Sequence, residues 1–226
     1  ELAQGLGDQS SVVDRVCKRA IQLFGDRLEL AGAGAVGLFY YAGHGVQVNG
    51  RNYLIPTDAA IDRETDVDIE AVATDTVLAQ MEFANNDLNF VILDACRNNP
   101  YTRSFRSASR GLARMDAPRG TLISYATAPG DVALDGNGDH SPYSRALAKA
   151  MLKPGMQVEQ MFKRVRQLVI AETDSKQTPW EASSLTGDFF FKAAPATAAG
   201  TSGAVASADV VAWNAIEDST NAADIT

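Results

Sequence analysis

Residues 90–95 read FVILDA, residues 35–42 read AVGLFYYA and residues 121–126 read TLISYA. Each run is almost continuously apolar, is too short for a typical helix, and contains β-branched or aromatic side chains. Such runs are typical of strands buried in a parallel sheet, which is covered on both faces. The three runs therefore predict the central strands of an α/β fold.

Apolar side chains at helical spacing occur before, between and after these runs. They predict helices over residues 11–30, near 76–84, over 143–152 and over 158–171. Strands that alternate with helices are joined by right-handed crossovers and form a layered sheet. A last strand is predicted at residues 189–191.

The composition excludes several classes of function. The net charge of −8 disfavours nucleic-acid binding and suits a cationic peptide substrate. No apolar run approaches the roughly 20 residues that span a bilayer, so we expect no membrane association, and a cytoplasmic location is favoured. The cysteines are Cys17 and Cys96 and the histidines His44 and His140, too few for a disulfide framework or a thiolate metal site. We therefore expect no cofactor.

The chain divides into three parts. Residues 1–192 are expected to form one domain. Residues 193–207 are rich in small side chains and predict a flexible linker. Residues 208–226 begin an amphipathic element that is expected to be the start of a truncated helical region.

Two reactive side chains follow the first two predicted strands. His44 lies at the end of one, between Gly43 and Gly45, and Cys96 lies at the end of the other. Adjacent parallel strands bring their carboxyl ends together, where open α/β sheets bind ligands. A thiolate is a nucleophile, and a neighbouring imidazole activates it. Taken singly, such a cysteine is more often a buried hydrophobe and such a histidine structural, but the pair favours catalysis.

Three motifs carry a resemblance to a known family. The segments YYAGHG (40–45) and NYLIP (52–56) resemble the His segment of bacterial caspase-like cysteine peptidases. LDACRNNP (93–100) resembles their Cys segment, and YATAPG (125–130) resembles their next strand and pocket loop. The residues that flank Cys96 resemble metacaspases and paracaspases more than animal caspases. The resemblance covers roughly residues 11–192.

This resemblance implies a caspase-like three-layer α/β/α sandwich around a mainly parallel sheet. Such domains normally begin with strands that this sequence does not predict, and their absence would leave an apolar sheet edge open to aggregation. We therefore expect an N-terminal segment or another chain to complete the sheet. The metacaspase-like branch favours a monomer.

The resemblance also implies the catalytic roles. Cys96 attacks the scissile carbonyl, and His44 protonates the leaving amine and then activates water. The backbone N–H groups of Gly45 and Cys96 form the oxyanion hole. The family pattern requires no third catalytic residue.

Two carboxylates are candidates for the substrate pocket. Asp94 lies two residues before Cys96, on the same face of the strand, at a position that lines the primary pocket in the metacaspase-like branch. Alignment with caspases puts Asp135 where they carry a pocket arginine, although DGNGD (135–139) also reads as a polar turn. Together they imply cleavage after Arg or Lys, with Arg favoured because its planar fork suits carboxylates.

Two further stretches have alternative interpretations. An acidic stretch is interpreted as a solvated surface or, alternatively, as a calcium site of the kind found in some metacaspases; it contains Asp62, Glu64, Asp66, Asp68 and Glu70. An arginine-rich stretch lies where caspases are cut between subunits, and is interpreted as a basic loop or as a self-cleavage region; its candidate sites are Arg103, Arg106, Arg110 and Arg114.

Three functions remain open from the sequence. The first is a cysteine endopeptidase directed to Arg or Lys, which the intact His44 and Cys96 favour. The second is a catalytically silent caspase-like scaffold that binds partners. The third, a non-peptidase hydrolase or ligand-binding domain, would require the family motifs to be coincidental.

Overall fold

A computed structural model describes residues 34–57, 59–95 and 111–195. The strands in these ranges are β1 (Val36–Ala42), β2 (Gly45–Val48), β3 (Arg51–Leu54), β4 (Val72–Ala73), β5 (Leu88–Asp94), β6 (Thr121–Tyr125) and β7 (Trp180–Ser183). The helices are α1 (Val67–Glu70), which follows a 3-10 turn at Glu64–Asp66, α2 (Thr74–Phe83), α3 (Pro142–Met151) and α4 (Val158–Glu172).

The main sheet has the strand order β1-β5-β6-β7. Strands β1, β5 and β6 run parallel, and β7 pairs with β6 in the antiparallel direction. Strands β5 and β6 are almost completely buried, as continuous apolar runs predict. The three predicted central strands are therefore confirmed.

Helices flank this sheet and share its core, as in an α/β sandwich. Ser141 caps the start of α3 by accepting a hydrogen bond from the N–H of Ser144, and Pro142 occupies the first turn, where its missing N–H costs nothing. The predicted apolar stripe of α4 is confirmed, because the buried side chains of this helix are Val158, Met161, Phe162, Val165 and Val169.

The strand predicted at residues 189–191 is wrong. The fourth strand of the sheet is β7, and the backbone near residue 189 instead bonds to the start of α4, where Val158 donates to the carbonyl of Phe189. The rings of Phe189 and Phe191 lie 5.0 and 5.2 Å from the ring of Phe90. These residues are apolar because they cover the buried start of β5 at Phe90. Their apolar composition therefore resembles that of a buried strand.

The sequence interpretation also missed a small antiparallel sheet, β2-β3-β4. Strands β2 and β3 form a hairpin whose turn is Asn49-Gly50, with φ angles of 51° and 78°. Asn-Gly is the strongest signal for a two-residue hairpin turn, because both positions require positive φ. This sheet has its own core, with Val46, Tyr53 and Val67 among its buried residues.

Some predictions concern residues outside the described ranges. The helix at residues 11–30, almost all of the linker and the element at residues 208–226 fall there. In the described part of the chain, no helix is long and apolar enough to cross a membrane.

The packing of the Phe189 ring generates a prediction about stability. We expect Phe189→Ala to lower the free energy of unfolding by about 2–4 kcal/mol, because it opens a cavity against Phe90. Phe190→Ala is the matched control: Phe190 is 42% exposed, so its loss should cost under about 0.5 kcal/mol. Denaturant unfolding of both variants measures the difference. Equal losses would show that the Phe90 contact is not what stabilises this segment.

Candidate active site

The site is built at the carboxyl ends of β1 and β5. The register of these strands ends with Ala42 opposite Asp94, and the N–H of Gly43 donates to the Asp94 carbonyl at 3.2 Å. His44 follows at once and is exposed. Cys96 is the second residue after Asp94 and lies outside the described residues, so its role stays a prediction.

Tyr41 supports the loop that carries His44. Its hydroxyl lies 2.8 Å from the carbonyl oxygens of both His44 and Ile55, and can donate to either. A Cβ atom at Gly43 would lie 2.6 Å from this hydroxyl, closer than real Cβ contacts allow. Glycine at position 43 therefore lets the backbone pass over the Tyr41 side chain and holds His44 above the sheet edge.

Gly45 begins β2 and packs tightly against the end of β5. A Cβ atom there would lie 3.0 Å from Leu112 and 3.2 Å from Ala95. The N–H of Ile55 donates to the His44 carbonyl at 2.9 Å, which makes Gly45 and Leu54 a non-hydrogen-bonded pair of the antiparallel ladder. The N–H of Gly45 therefore points away from β3.

Asp94 is buried, with 6% of its surface exposed, and is held by two serines at the start of α3. Its Oδ2 atom accepts a hydrogen bond from the hydroxyl of Ser141 and another, at 2.5 Å, from that of Ser144. The Tyr40 hydroxyl lies 2.6 Å from Ser144 Oγ. A buried carboxylate needs such donors, because burial without them is costly.

The hydroxyl of Tyr40 remains neutral in this network. Burial raises the pKa of Tyr40, the hydrogen bond with Ser144 lowers it, and the charge of Asp94 raises it, with a net rise. A neutral phenol keeps its proton and donates it to Ser144 Oγ. That leaves the proton of the Ser144 hydroxyl for Asp94.

Asp135 is exposed and lies in the loop that precedes α3. The N–H of Leu134, the preceding residue, donates to buried Gln177 at 2.9 Å, and the Arg145 guanidinium donates to the carbonyl of His140 farther along the loop. Among the hydrogen bonds of the described residues, none joins Asp135 to Asp94. The shared role of the two carboxylates in one pocket stays a prediction.

A cleft of about 620 Å³ opens beside this loop. Its lining includes Arg145, Glu172 and Lys176, whereas neither His44 nor Asp94 contributes to it.

The other predicted features can be placed in part. In the acidic stretch, Asp66 accepts the N–H of Arg63 at 2.8 Å, and Asp68 accepts the hydroxyl of Tyr53 at 2.5 Å. No group of three or more metal-ligating side chains is placed to hold an ion within the described ranges. Of the predicted self-cleavage sites only Arg114 is described; the others, outside those ranges, are Arg103, Arg106 and Arg110.

Sequence reasoning missed Ser141 and Ser144 as partners of Asp94. A partial signal was present, because serine followed by proline is a typical helix start and places Ser141 at the cap. Their approach to Asp94 depends on how α3 packs against the sheet.

Comparisons with known proteins agree with this architecture. Residues 16–190 match the family model described as the caspase domain. Among solved structures, the crystal structure of the Drosophila initiator caspase Dronc is similar, with 16% identity and a TM-score of 0.50. The match covers 79% of this chain and 64% of that one, so this chain spans less than two thirds of Dronc. Similarity at this identity shows the fold alone. A comparison with curated proteins gives no match.

The support beneath His44 generates a second prediction. Gly43→Ala should displace the Tyr41 ring and lower the free energy of unfolding by about 1–3 kcal/mol, the usual cost of overpacking. The imidazole NMR signal of His44 should move while that of His140, the other histidine, stays in place. Gly187→Ala is the control, because no atom lies within 4 Å of a Cβ atom there. An unchanged His44 signal in Gly43→Ala would refute the support role of Tyr41.

Proposed function

The chain belongs to the caspase domain family, and from that premise we propose that it is a cysteine endopeptidase that cleaves after Arg or Lys, with Cys96 and His44 as its catalytic pair. The observation that carries this proposal is the register of β1 and β5. Ala42 lies opposite Asp94 at the end of the paired region, and His44 and Cys96 each follow two residues later. The two chain segments thus leave the sheet side by side.

The proposed reaction has two steps. The Cys96 thiolate attacks the scissile carbonyl carbon, and the C–N bond breaks as His44 gives a proton to the leaving amine. His44 then takes a proton from water, whose oxygen attacks the thioester and releases the acid and the thiolate. The exposure of His44 supports this role, because its imidazole must reach both the leaving amine and the incoming water.

The orientation of Gly45 supports its proposed place in the oxyanion hole. Its N–H points away from β3 and is not used by the hairpin ladder. A backbone donor fixed in this way needs no reorganisation when negative charge develops on the substrate oxygen. The N–H of Cys96 is proposed as the second donor.

The basic specificity rests on Asp94. It is a carboxylate on the last paired residue of β5, and the residue opposite it, Ala42, is small and exposed. Asp135 is proposed as a second acidic contact. The net charge of −8 favours the approach of a cationic peptide.

Strand β1 is one of the two edge strands of the main sheet within the described ranges, and β7 is the other. We propose that a segment preceding residue 34, or another chain, pairs with the outer edge of β1, because an unpaired apolar edge promotes aggregation. The protein is otherwise proposed to act as a monomer.

Cleavage of model peptides tests the proposed reaction. Fluorogenic peptides that end in Arg, Lys or Asp are incubated with the chain, with Cys96→Ala and with Cys17→Ala. We expect cleavage after Arg and Lys, a loss of at least about 10³-fold in Cys96→Ala, and retention in Cys17→Ala, since only one thiol is the nucleophile.

The outcomes of this assay separate the alternatives. Cleavage after Asp alone would keep the peptidase and refute the acidic pocket. Cleavage that survives in Cys96→Ala would refute the catalytic pair. No cleavage of any peptide would favour a caspase-like scaffold that binds partners without cutting them.

Self-processing is a further part of the proposal, and the structure disfavours Arg114 as its site. We call residues 111–115 the anchored segment. The backbone of Ala113 makes two hydrogen bonds of 2.7 Å with the side chain of Asn52, and the N–H of Met115 donates to the Tyr125 hydroxyl at 3.0 Å. A peptidase binds its substrate through an extended, free backbone, so Arg114 must first be pulled from these contacts.

Fragment analysis tests this choice of site. When the active chain is incubated, we expect mass spectrometry to find new N-termini at or before Gly111 and none at Met115. Arg114→Gln should leave the fragment pattern unchanged, whereas Arg110→Gln should remove any fragment that begins at Gly111. A fragment that begins at Met115 in the unaltered chain, and is absent in Cys96→Ala, would contradict the protection of Arg114.

A further inference from the structure

The two oxygens of the Asp94 carboxylate have different surroundings. Oδ2 accepts the hydroxyl protons of both Ser141 and Ser144, and these two bonds fill its two lone-pair positions. No hydrogen bond of the described residues ends on Oδ1. Among the described residues, Oδ1 is therefore the one oxygen of this carboxylate that is still able to accept a hydrogen bond from a ligand.

The position of both serines at the start of α3 fixes this asymmetry. Neutral Tyr40 donates to Ser144 Oγ, and Ser144 in turn donates to Asp94. The N–H of Ser144 donates to Ser141 Oγ at 2.9 Å, so that hydroxyl is also directed to the carboxylate. Both serines belong to the start of α3, which holds them in place whether or not a substrate is bound.

A single free oxygen changes how a basic side chain is recognised. The guanidinium of arginine gains its advantage over an ammonium group by binding both carboxylate oxygens at once, as a planar fork. With Oδ2 filled, arginine reaches Asp94 only end-on, through one contact that a lysine ammonium makes equally well. Asp94 alone then gives little discrimination between the two.

We infer that Ser141 and Ser144 are specificity-determining residues: by occupying Oδ2 of Asp94 they make the primary pocket accept lysine nearly as well as arginine. This inference rests on the proposed function, since it concerns the same pocket. Loss of one serine hydroxyl frees a lone pair on Oδ2. The fork of arginine then binds both oxygens, while the ammonium of lysine gains no comparable contact.

The ratio of kcat/KM for paired Arg and Lys peptides measures this effect. We expect Ser144→Ala to raise the Arg-to-Lys ratio about tenfold, the low end of the factor for one added charge-assisted hydrogen bond. Alanine suits a helix, so α3 should form normally. Ser141→Ala frees the other lone pair of Oδ2 and should shift the ratio in the same direction.

Two variants test whether the hydroxyl itself is responsible. Ser144→Thr keeps a hydroxyl on Asp94 and should restore the ratio of the unaltered chain. Tyr40→Phe removes a hydrogen bond from Ser144 but leaves Oδ2 filled, so its ratio should also stay unchanged. Thermal unfolding of each variant confirms that α3 remains packed.

The results distinguish this inference from the proposed function. If the unaltered chain cleaves after neither Arg nor Lys, the proposed function fails and the inference fails with it. If it cleaves and the ratio changes less than about twofold in both serine-to-alanine variants, only the inference is overturned. An equal rise in Tyr40→Phe would also overturn it, because the cause would then be packing rather than the occupancy of Oδ2.

Discussion

The parallel pairing of β1 with β5 determines where every other part of the site lies. Its register runs from Val36 opposite Leu88 to Ala42 opposite Asp94, and both strands end at that last pair. Strand β5 is buried on both faces, so close packing of its side chains against their neighbours holds this register. His44 then follows one strand, and the segment that contains Cys96 follows the other. The proposed catalytic pair is thus a consequence of where two apolar runs stop.

Close packing of small residues converts this register into a usable site. Gly43 passes over the Tyr41 hydroxyl, and Gly45 lies so close to Ala95 and Leu112 that a side chain there would have to displace them. The His44 loop is consequently held between the end of β5 and the anchored segment, which follows the arginine-rich stretch. The part of the chain proposed to catalyse is therefore in direct contact with the anchored segment through Leu112.

The sequence was sufficient for features that depend on local composition. The three apolar runs predicted β1, β5 and β6, and the stripe of apolar side chains predicted α4. Strand β7 was missed because WEAS has no continuous apolar run, and its residues are only partly buried. Its place in the sheet depends on backbone pairing with β6, and such pairing cannot be predicted from amino-acid composition.

The interactions around Asp94 lay beyond prediction for a related reason. Ser141 and Ser144 are 47 and 50 residues away from it along the chain, and only the packing of α3 brings them together. The resemblance of the motif that contains Cys96 predicted a pocket role for Asp94, but it carried no information about which carboxylate oxygen stays free. That detail depends on the hydroxyl groups of Ser141 and Ser144, and the sequence around them predicts only that a helix starts there.

The burial of Asp94 links stability to recognition. A carboxylate with so little exposed surface is costly unless donors surround it, and the serine hydroxyls with the first turn of α3 supply them without substrate. The same donors fix the carboxylate in one orientation before a substrate arrives, so binding need not order it. Yet each donor occupies a lone pair that a substrate would otherwise use. The arrangement that makes Asp94 tolerable in the fold would thereby limit how many contacts it offers to the proposed peptide substrate.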